Sequence, residues 1–380
     1  METTWNGSEA IHASHIYFHI PFCVSLCQYC DFISFTGKAN LIDFYVDKLI
    51  EEMDFFPISR SLKTIYFGGG TPSLLEPHHL EKILHAVQNK YHLEGHAEIS
   101  MESNPETVDF EKLKAYRRCG VTRLSLGAQA FQTNVLQQLG RQHDWHRIQC
   151  AFEDARKSGF ENINLDIMMG LPFQTSDQFK KTIQEALKLN PDHLSIYALQ
   201  VEAGTPLSTR IKNGLTLPDD DQVADEYMWV QDILQSNGFD QYEVSNFSKI
   251  GKHCRHNWAI WRGDNYIGLG VGAVGTVGTI RYSHRDSLKE FLQIRNGHFS
   301  TFLDQEFLPL QTRQVERVML ELRTSQGVLK SNLDFVFQDR QKKTFFEHLI
   351  SQKYIVQRGD YYVVQPEKFF VLSGILDKII

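Results

Sequence analysis

The sequence lacks an excess of positive charge: 39 lysines and arginines face 46 aspartates and glutamates, a net charge of −7 over 380 residues. A protein that grips a nucleic-acid backbone wants the opposite balance, so nucleic acid is not expected as a partner. Long apolar runs are missing too. The nearest approach, Tyr266 to Ile280, is interrupted by five glycines and would not form a spanning helix. Residues 1–10 carry neither a basic cluster nor an apolar core, so no secretory signal is expected and a cytoplasmic protein is. Cysteine is scarce, with six in all, and a chain of this length builds a core without disulfide staples. What is present is ordinary globular composition, 42% hydrophobic and 22% charged, which excludes wholesale disorder and suits one large domain plus an appendage.

Three of the six cysteines crowd into eight residues, as Cys23, Cys27 and Cys30. Positions i, i+4 and i+7 describe a buried helical stripe as well as a ligand set. The flanks favour the ligand set. Ile16-Tyr17-Phe18-His19-Ile20 is β-branched and aromatic, as a strand is, and Pro21 ends its ladder. The thiols then sit on a loop leaving a strand end. Structural zinc wants four ligands, and no nearby His or Cys completes a set. A four-iron cluster held by three thiolates keeps one iron open to a small molecule.

Strand and helix patterns alternate from residue 15 to about 215. Strands are predicted at His15–Ile20, Lys63–Phe67, Ala97–Met101, Arg123–Leu126, Asn162–Met168 and His193–Tyr197. Helices are predicted at Leu41–Phe55, His78–Asn89, Phe110–Cys119, Gln132–Leu139, Trp145–Ser158 and Asp177–Leu189. Such an order implies right-handed crossovers and a parallel sheet, and six units fit an α/β fold, an open partial (β/α)6 TIM-like barrel. Its chemistry belongs at the C-terminal strand ends. There the sequence puts the cysteine loop, Gly68-Gly69-Gly70-Thr71, Glu102, Gln129 and Asp166. A glycine run lets backbone approach a ligand closely, although a plain tight turn reads the same way. It lacks the lysine of a phosphate loop and the spacing of a dinucleotide fingerprint. Asp166, inside an apolar strand, is costly unless paired.

After residue 215 a helix is expected to about Ser236. Tyr242–Phe247, His256–Trp261 and Tyr266–Gly278 then read as antiparallel strands laid on the core. Residues 313 to 380 read as helix, short helix, helix, hairpin and terminal helix, the order of a winged helix. With 11 basic against 8 acidic residues, that segment suits docking better than reading phosphates.

Cys-x3-Cys-x2-Cys, preceded by Tyr17-Phe18-His19-Ile20-Pro21-Phe22 and followed by Asp31-Phe32, resembles the signature of radical S-adenosylmethionine (SAM) proteins. More narrowly it is similar to the anaerobic coproporphyrinogen oxidase (HemN) branch and its HemW-type heme-chaperone relatives. The resemblance implies a [4Fe-4S] cluster on Cys23, Cys27 and Cys30, with SAM chelating the open iron and cleaved reductively to a 5′-deoxyadenosyl radical. By motif it carries Gly69, Gly70 and Thr71 over as contacts to the methionine end of SAM. Tyr17, Glu102, Gln129, Arg141 and Asp166 complete the SAM shell, Arg141 facing the carboxylate and Asp166 the ribose. His256-Asn257 begins a near-match to a heme-binding motif, with Ile260 where that motif has Tyr and Val274 where many such chains have His; His256 is the implied heme residue, or a satisfied core histidine. The resemblance divides the chain into a tail (1–14), a radical SAM core (15–215), an accessory α+β region (216–300) and a HemN-like C-terminal domain (301–380). Implied partners are heme or porphyrin, heme-accepting proteins such as respiratory enzymes, an electron donor for the cluster, and a peripheral membrane contact. Three functions compete: a heme chaperone, an oxygen-independent coproporphyrinogen III dehydrogenase, and a radical methyltransferase. No cysteine closely follows Cys30 and only 22 residues precede Cys23, both of which favour the chaperone.

Overall fold

The computed structural model describes residues 11–295 and 298–379, so most of the tail expected at 1–14 lies outside the described residues. Six strands, β1 (His15–Ile20), β2 (Leu62–Gly69), β3 (Leu93–Ser103), β4 (Arg123–Gln129), β5 (Ile163–Met169) and β6 (His193–Ala198), lie side by side in chain order. Each pairs with the next in parallel. Helices cross between them: α1 (Ile42–Glu52), α2 (Pro77–Lys90), α3 (Phe110–Cys119), α4 (Thr133–Gln138), α5 (Trp145–Lys157) and α6 (Ser176–Lys188). The sheet does not close on itself, so this is the open partial (β/α)6 barrel expected from the alternation.

Local chemistry sets these helices. Asp144 accepts the N–H of Arg147 to start α5, and Ile148, Ala151, Phe152 and Ala155 then bury one stripe. Thr175 and Gln178 form a capping box on α6, and α3 stops at Gly120, which takes φ +110°. Truncating Phe152 to Ala in this well-filled layer would cost about 3–5 kcal/mol.

Strand alternation divides the sheet into two faces. Ile16, Phe18, Ile65, Phe67, Ile99, Met101, Leu124, Leu126, Leu165 and Ile167 pack in the core. The opposite parity carries His15, Thr64, Tyr66, Glu98, Arg123, Ser125, Asn164, Asp166, His193 and Ser195, many of them joined by hydrogen bonds. A barrel interior packed with branched aliphatics would be a core. A polar one suits a polar ligand.

The region after β6 departs from the expectation in two places. Arg255–Trp261 is a helix rather than a strand. Its aromatic composition reads as β, but the Glu98 carboxylate on β3 accepts the N–H groups of Arg255 and His256, a cap supplied from far away in sequence. Within the Gly-rich segment, Ile267–Leu269 joins the main sheet parallel to β1, while Val274–Val277 pairs antiparallel with Ile280–His284. At the other edge Asn246–Ser248 is antiparallel to β6, as expected. The C-terminal segment keeps its expected order, ending in a hairpin of Ile355–Arg358 and Tyr361–Val364 that Val328–Leu329 extends to three strands, and a last helix, Leu372–Ile379. No described helix is long and apolar enough to cross a membrane.

Candidate functional site

The cysteine loop leaves β1 and is tied down at several points. Phe35 N–H donates to Pro21 O (2.7 Å), Gln28 N–H donates to Leu139 O beyond α4 (3.0 Å), and Leu207 N–H donates to Gln28 O (2.8 Å). From below, the ring of His19 bonds the carbonyl of Ile33 (2.8 Å) and approaches Tyr17 Oη through its other nitrogen (3.2 Å). The loop is anchored through its backbone, which leaves Val24, Leu26 and Phe32 exposed and the thiols of Cys23, Cys27 and Cys30 free.

The glycine run lies directly against it. Gly70 N–H donates to Ile20 O (3.0 Å) and Thr71 N–H to Phe22 O (2.8 Å). A Cβ on Gly70 would lie 2.8 Å from Phe22 O and 3.0 Å from Cys23 Sγ, while Gly69, at φ +110°, has the His19 ring 2.6 Å from its would-be Cβ. No larger residue fits between these two loops. Gln129, at φ +62°, is one of three non-glycine residues in the left-handed region among the described residues, and the pairing of β4 and β5 shifts register beside it. Strain of this kind collects at binding sites.

All three cysteines line one cavity of about 370 Å³ together with Gly69, Gly70, Thr71, Glu102, Gln129, Arg141 and Asp166. The structure thus brings together ten of the residues singled out from sequence. Tyr17 stays one layer behind the wall, stacked on Tyr66 at 6.1 Å between ring centroids. His256 does not reach the cavity either. It is 1% exposed, with Nδ1 bonded to Thr64 Oγ1 (2.8 Å) and Nε2 without a partner among the described residues. Burial, and then the neighbouring His15, pushes its pKa down to about 3, so it is a neutral interior ring. The ring that the resemblance implies for heme is interior here, the position of a core histidine.

Sequence reading passed over the groups that hold the others. Asn104 bridges two candidates, donating from Nδ2 to Thr71 Oγ1 (3.3 Å) and accepting from Arg141 on Oδ1 (2.7 Å). Tyr29 Oη accepts from the second arm of Arg141 (2.8 Å). Tyr66 Oη donates to Glu102 (2.8 Å), and Gly69 N–H donates to its other oxygen (3.2 Å). Ser125 and Asn164 donate to the two oxygens of Asp166 (2.9 and 2.8 Å). Inward parity on each strand was the available signal for Tyr66, Ser125 and Asn164.

The electrostatics are those of carboxylates buried in the cavity wall. Burial first, and then the charge of Asp166, raises Glu102 to about pKa 7. Burial also raises Asp166, against the bonds from Ser125 and the charge of Arg123. Both therefore favour a cationic ligand, which would repay the cost of ionising them.

The thiols suit a cluster better than a single ion. A tetrahedral ion with bonds of about 2.3 Å brings its sulfurs to roughly 3.8 Å of one another. The three Sγ atoms do not all lie within 4.8 Å of each other. The ligand atoms of Asp43, His78 and His79 do lie that close together. There, however, His79 Nδ1 accepts the N–H of Glu76 (3.0 Å), leaving its Nε2–H to donate to Asp43 (2.7 Å), which reads as the capping of α2.

The family model of the radical SAM superfamily matches residues 17–186. A heme chaperone HemW of Lactococcus lactis is 37% identical over 341 residues, covering 89% of either chain. Its namesake in Escherichia coli is 40% identical over 266 residues, 69% of this chain and 70% of its own length. Among solved structures, the coproporphyrinogen III oxidase HemN of Escherichia coli superposes with a TM-score of 0.82 at 22% identity, over 97% of this chain and 90% of its own, a likeness of fold.

Proposed function

Since the chain belongs to the HemW family of the radical SAM superfamily, we propose that it is a heme chaperone, binding heme and handing it to acceptor proteins under control of a [4Fe-4S] cluster and SAM. The observation that carries the cofactor half is the single cavity in which three free thiols meet Gly69, Gly70, Thr71, Glu102, Gln129, Arg141 and Asp166. When bound, the cluster supplies one electron for cleavage of a carbon–sulfur bond of SAM.

The chain's own residues do the positioning. Cys23, Cys27 and Cys30 would hold three irons of the cluster. Gly69 and Gly70 let the methionine end come within contact of backbone, and Thr71, pinned by Asn104, fixes its edge. Arg141, aimed by Asn104 and Tyr29, takes the carboxylate in a charge-assisted pair. Asp166, held by Ser125 and Asn164, accepts from the ribose hydroxyls, and Glu102 faces the positive charge. Gln129 lines the same cavity at the rim of the barrel.

The heme half rests on the named relatives and on the absence of a cysteine shortly after Cys30. The exposed Val24, Leu26 and Phe32 around the cluster loop offer an apolar face suited to a macrocycle. The test is anaerobic reconstitution followed by two assays on one preparation. Hemin titration should give a saturable spectrum, and reduced, SAM-loaded protein fed coproporphyrinogen III should not yield protoporphyrinogen IX over multiple turnovers. Turnover without hemin binding would make the protein an oxidative decarboxylase and end the chaperone reading.

A further inference from the structure

The cavity continues below the residues assigned to SAM. It follows the inward positions of β4 from Gln129 at the rim to Arg123, the first residue of the strand. Near its floor it is lined by Arg123, Ser125, Asn164, Ser195 and Asn257. Most of these polar groups satisfy one another. Asn164 donates to Ser125 (2.6 Å) and to Asp166 (2.8 Å), and its carbonyl accepts from Ser195 (3.2 Å) and meets the ring of His193 (2.6 Å).

Two groups stand outside that network. Arg123 is 2% exposed, its Nε is buried without a partner, and no described residue forms a hydrogen bond or ion pair with its guanidinium. The Asn257 side chain, next to the sealed His256 on the short helix Arg255–Trp261, likewise bonds to no described residue. Glu98 is the anion that would ordinarily answer Arg123. Its carboxylate is occupied elsewhere, by the N–H groups of Arg255 (2.9 Å) and His256 (3.1 Å) and by Ser100 Oγ (3.2 Å). Glu98 balances the guanidinium's charge through space and leaves its donors unmet. A buried guanidinium with open N–H groups is expensive to maintain, and the ligand that relieves it must be rich in acceptors and negatively charged.

We propose that the floor of the barrel is a carboxylate-binding subsite in which Arg123 and the Asn257 amide grip a carboxylate entering from the cavity. The planar fork of arginine matches both oxygens of a carboxylate, and the amide N–H group of Asn257 adds a third donor. Arg123 and Asn257 are not among the residues assigned to SAM, and the subsite does not require the heme reading. The carboxylate has two sources, a free small carboxylic acid or a side arm of a porphyrin, and the two are separable.

Trifluoroacetate is the probe, followed by fluorine NMR on the reconstituted full-length chain at fixed ionic strength. Saturable line broadening is expected, displaced by propionate and not by propionamide. Arg123→Gln should weaken the affinity at least tenfold, the scale of a lost charge-assisted pair, and Asn257→Ala should weaken it by a smaller factor. Iron content and far-UV circular dichroism equal to native qualify each variant, and Asn257→Ala decides if Arg123→Gln does not fold. Hemin displacing the probe where hemin dimethyl ester does not assigns the carboxylate to a porphyrin arm; failure of both assigns it to a free acid. No saturable binding by the native chain, or equal binding by native chain and variants, overturns the subsite and leaves Arg123 as the counter-charge of Glu98. Direct hemin titration of the same samples reports the chaperone reading separately, so either can fall without the other.

Discussion

Raising the pH through neutrality should strengthen SAM binding, and the cause is one carboxylate. Glu102 sits in the cavity wall with Tyr66 and Gly69 as its donors, and burial, then Asp166, raises it from the usual carboxylate range to about pKa 7. In the free protein at pH 6 it is therefore mostly protonated. A bound sulfonium beside it favours the ionised form, so binding below pH 7 must expel a proton. If the cation returns Glu102 to its ordinary range, affinity at pH 6 is about tenfold lower than at pH 8. Asp166, also raised by burial, acts with the same sign. Stability runs the other way. A carboxyl whose folded pKa is raised contributes stability fully below about 4.5, lost as pH climbs through about 7. Calorimetry of SAM binding to the reconstituted protein, in two buffers of different ionisation enthalpy, reads both affinity and proton release. Glu102→Gln should flatten the pH profile and abolish most of the release near pH 6.5. A native affinity constant between pH 6 and 8, or an unchanged slope in the variant, refutes the argument.

Replacing Cys23, Cys27 and Cys30 together by Ala should drop bound iron from about four atoms per chain to near none after anaerobic reconstitution; retention of four would end the cluster assignment. SAM should alter the EPR spectrum of the reduced cluster, and Asp166→Ala should weaken that change; a native spectrum indifferent to saturating SAM would remove the claim. Gly69→Ala places a Cβ 2.6 Å from the His19 ring at φ +110°, and should cost about 1–3 kcal/mol in urea unfolding; a loss under about 0.5 kcal/mol would contradict the packing described. His256→Ala should bind hemin as the native protein does, since the ring is interior; a clear loss of affinity without loss of stability would reinstate it as a heme contact.

Much of this was legible because local signals agreed with the fold. The apolar stripe of α5, the strand before Pro21 and the thiol spacing each follow from near neighbours in sequence. Ten site residues converge on one cavity because parallel strands deliver their C-terminal ends to one rim. What escaped depends on distant partners. Arg255–Trp261 looks like a strand until Glu98, over 150 residues away, caps it. Ile267–Leu269 joins β1 from the far side of the chain, which no local pattern announces. Arg123 looked like the start of a strand, because an unanswered donor is visible only when every neighbour has been placed.

The helix Arg255–Trp261 acts as a stopper. With Glu98 clasping its first N–H groups and Cys254, His256, His15 and Glu98 all buried, the lower end of the barrel is sealed. The cavity lining runs from the cysteine loop at the rim down to Asn257 on this helix. With SAM at the rim, as proposed, a ligand that passes the cysteine loop to the floor would have to arrive before SAM and leave after it, so the closed floor turns the site into a stack, last in and first out.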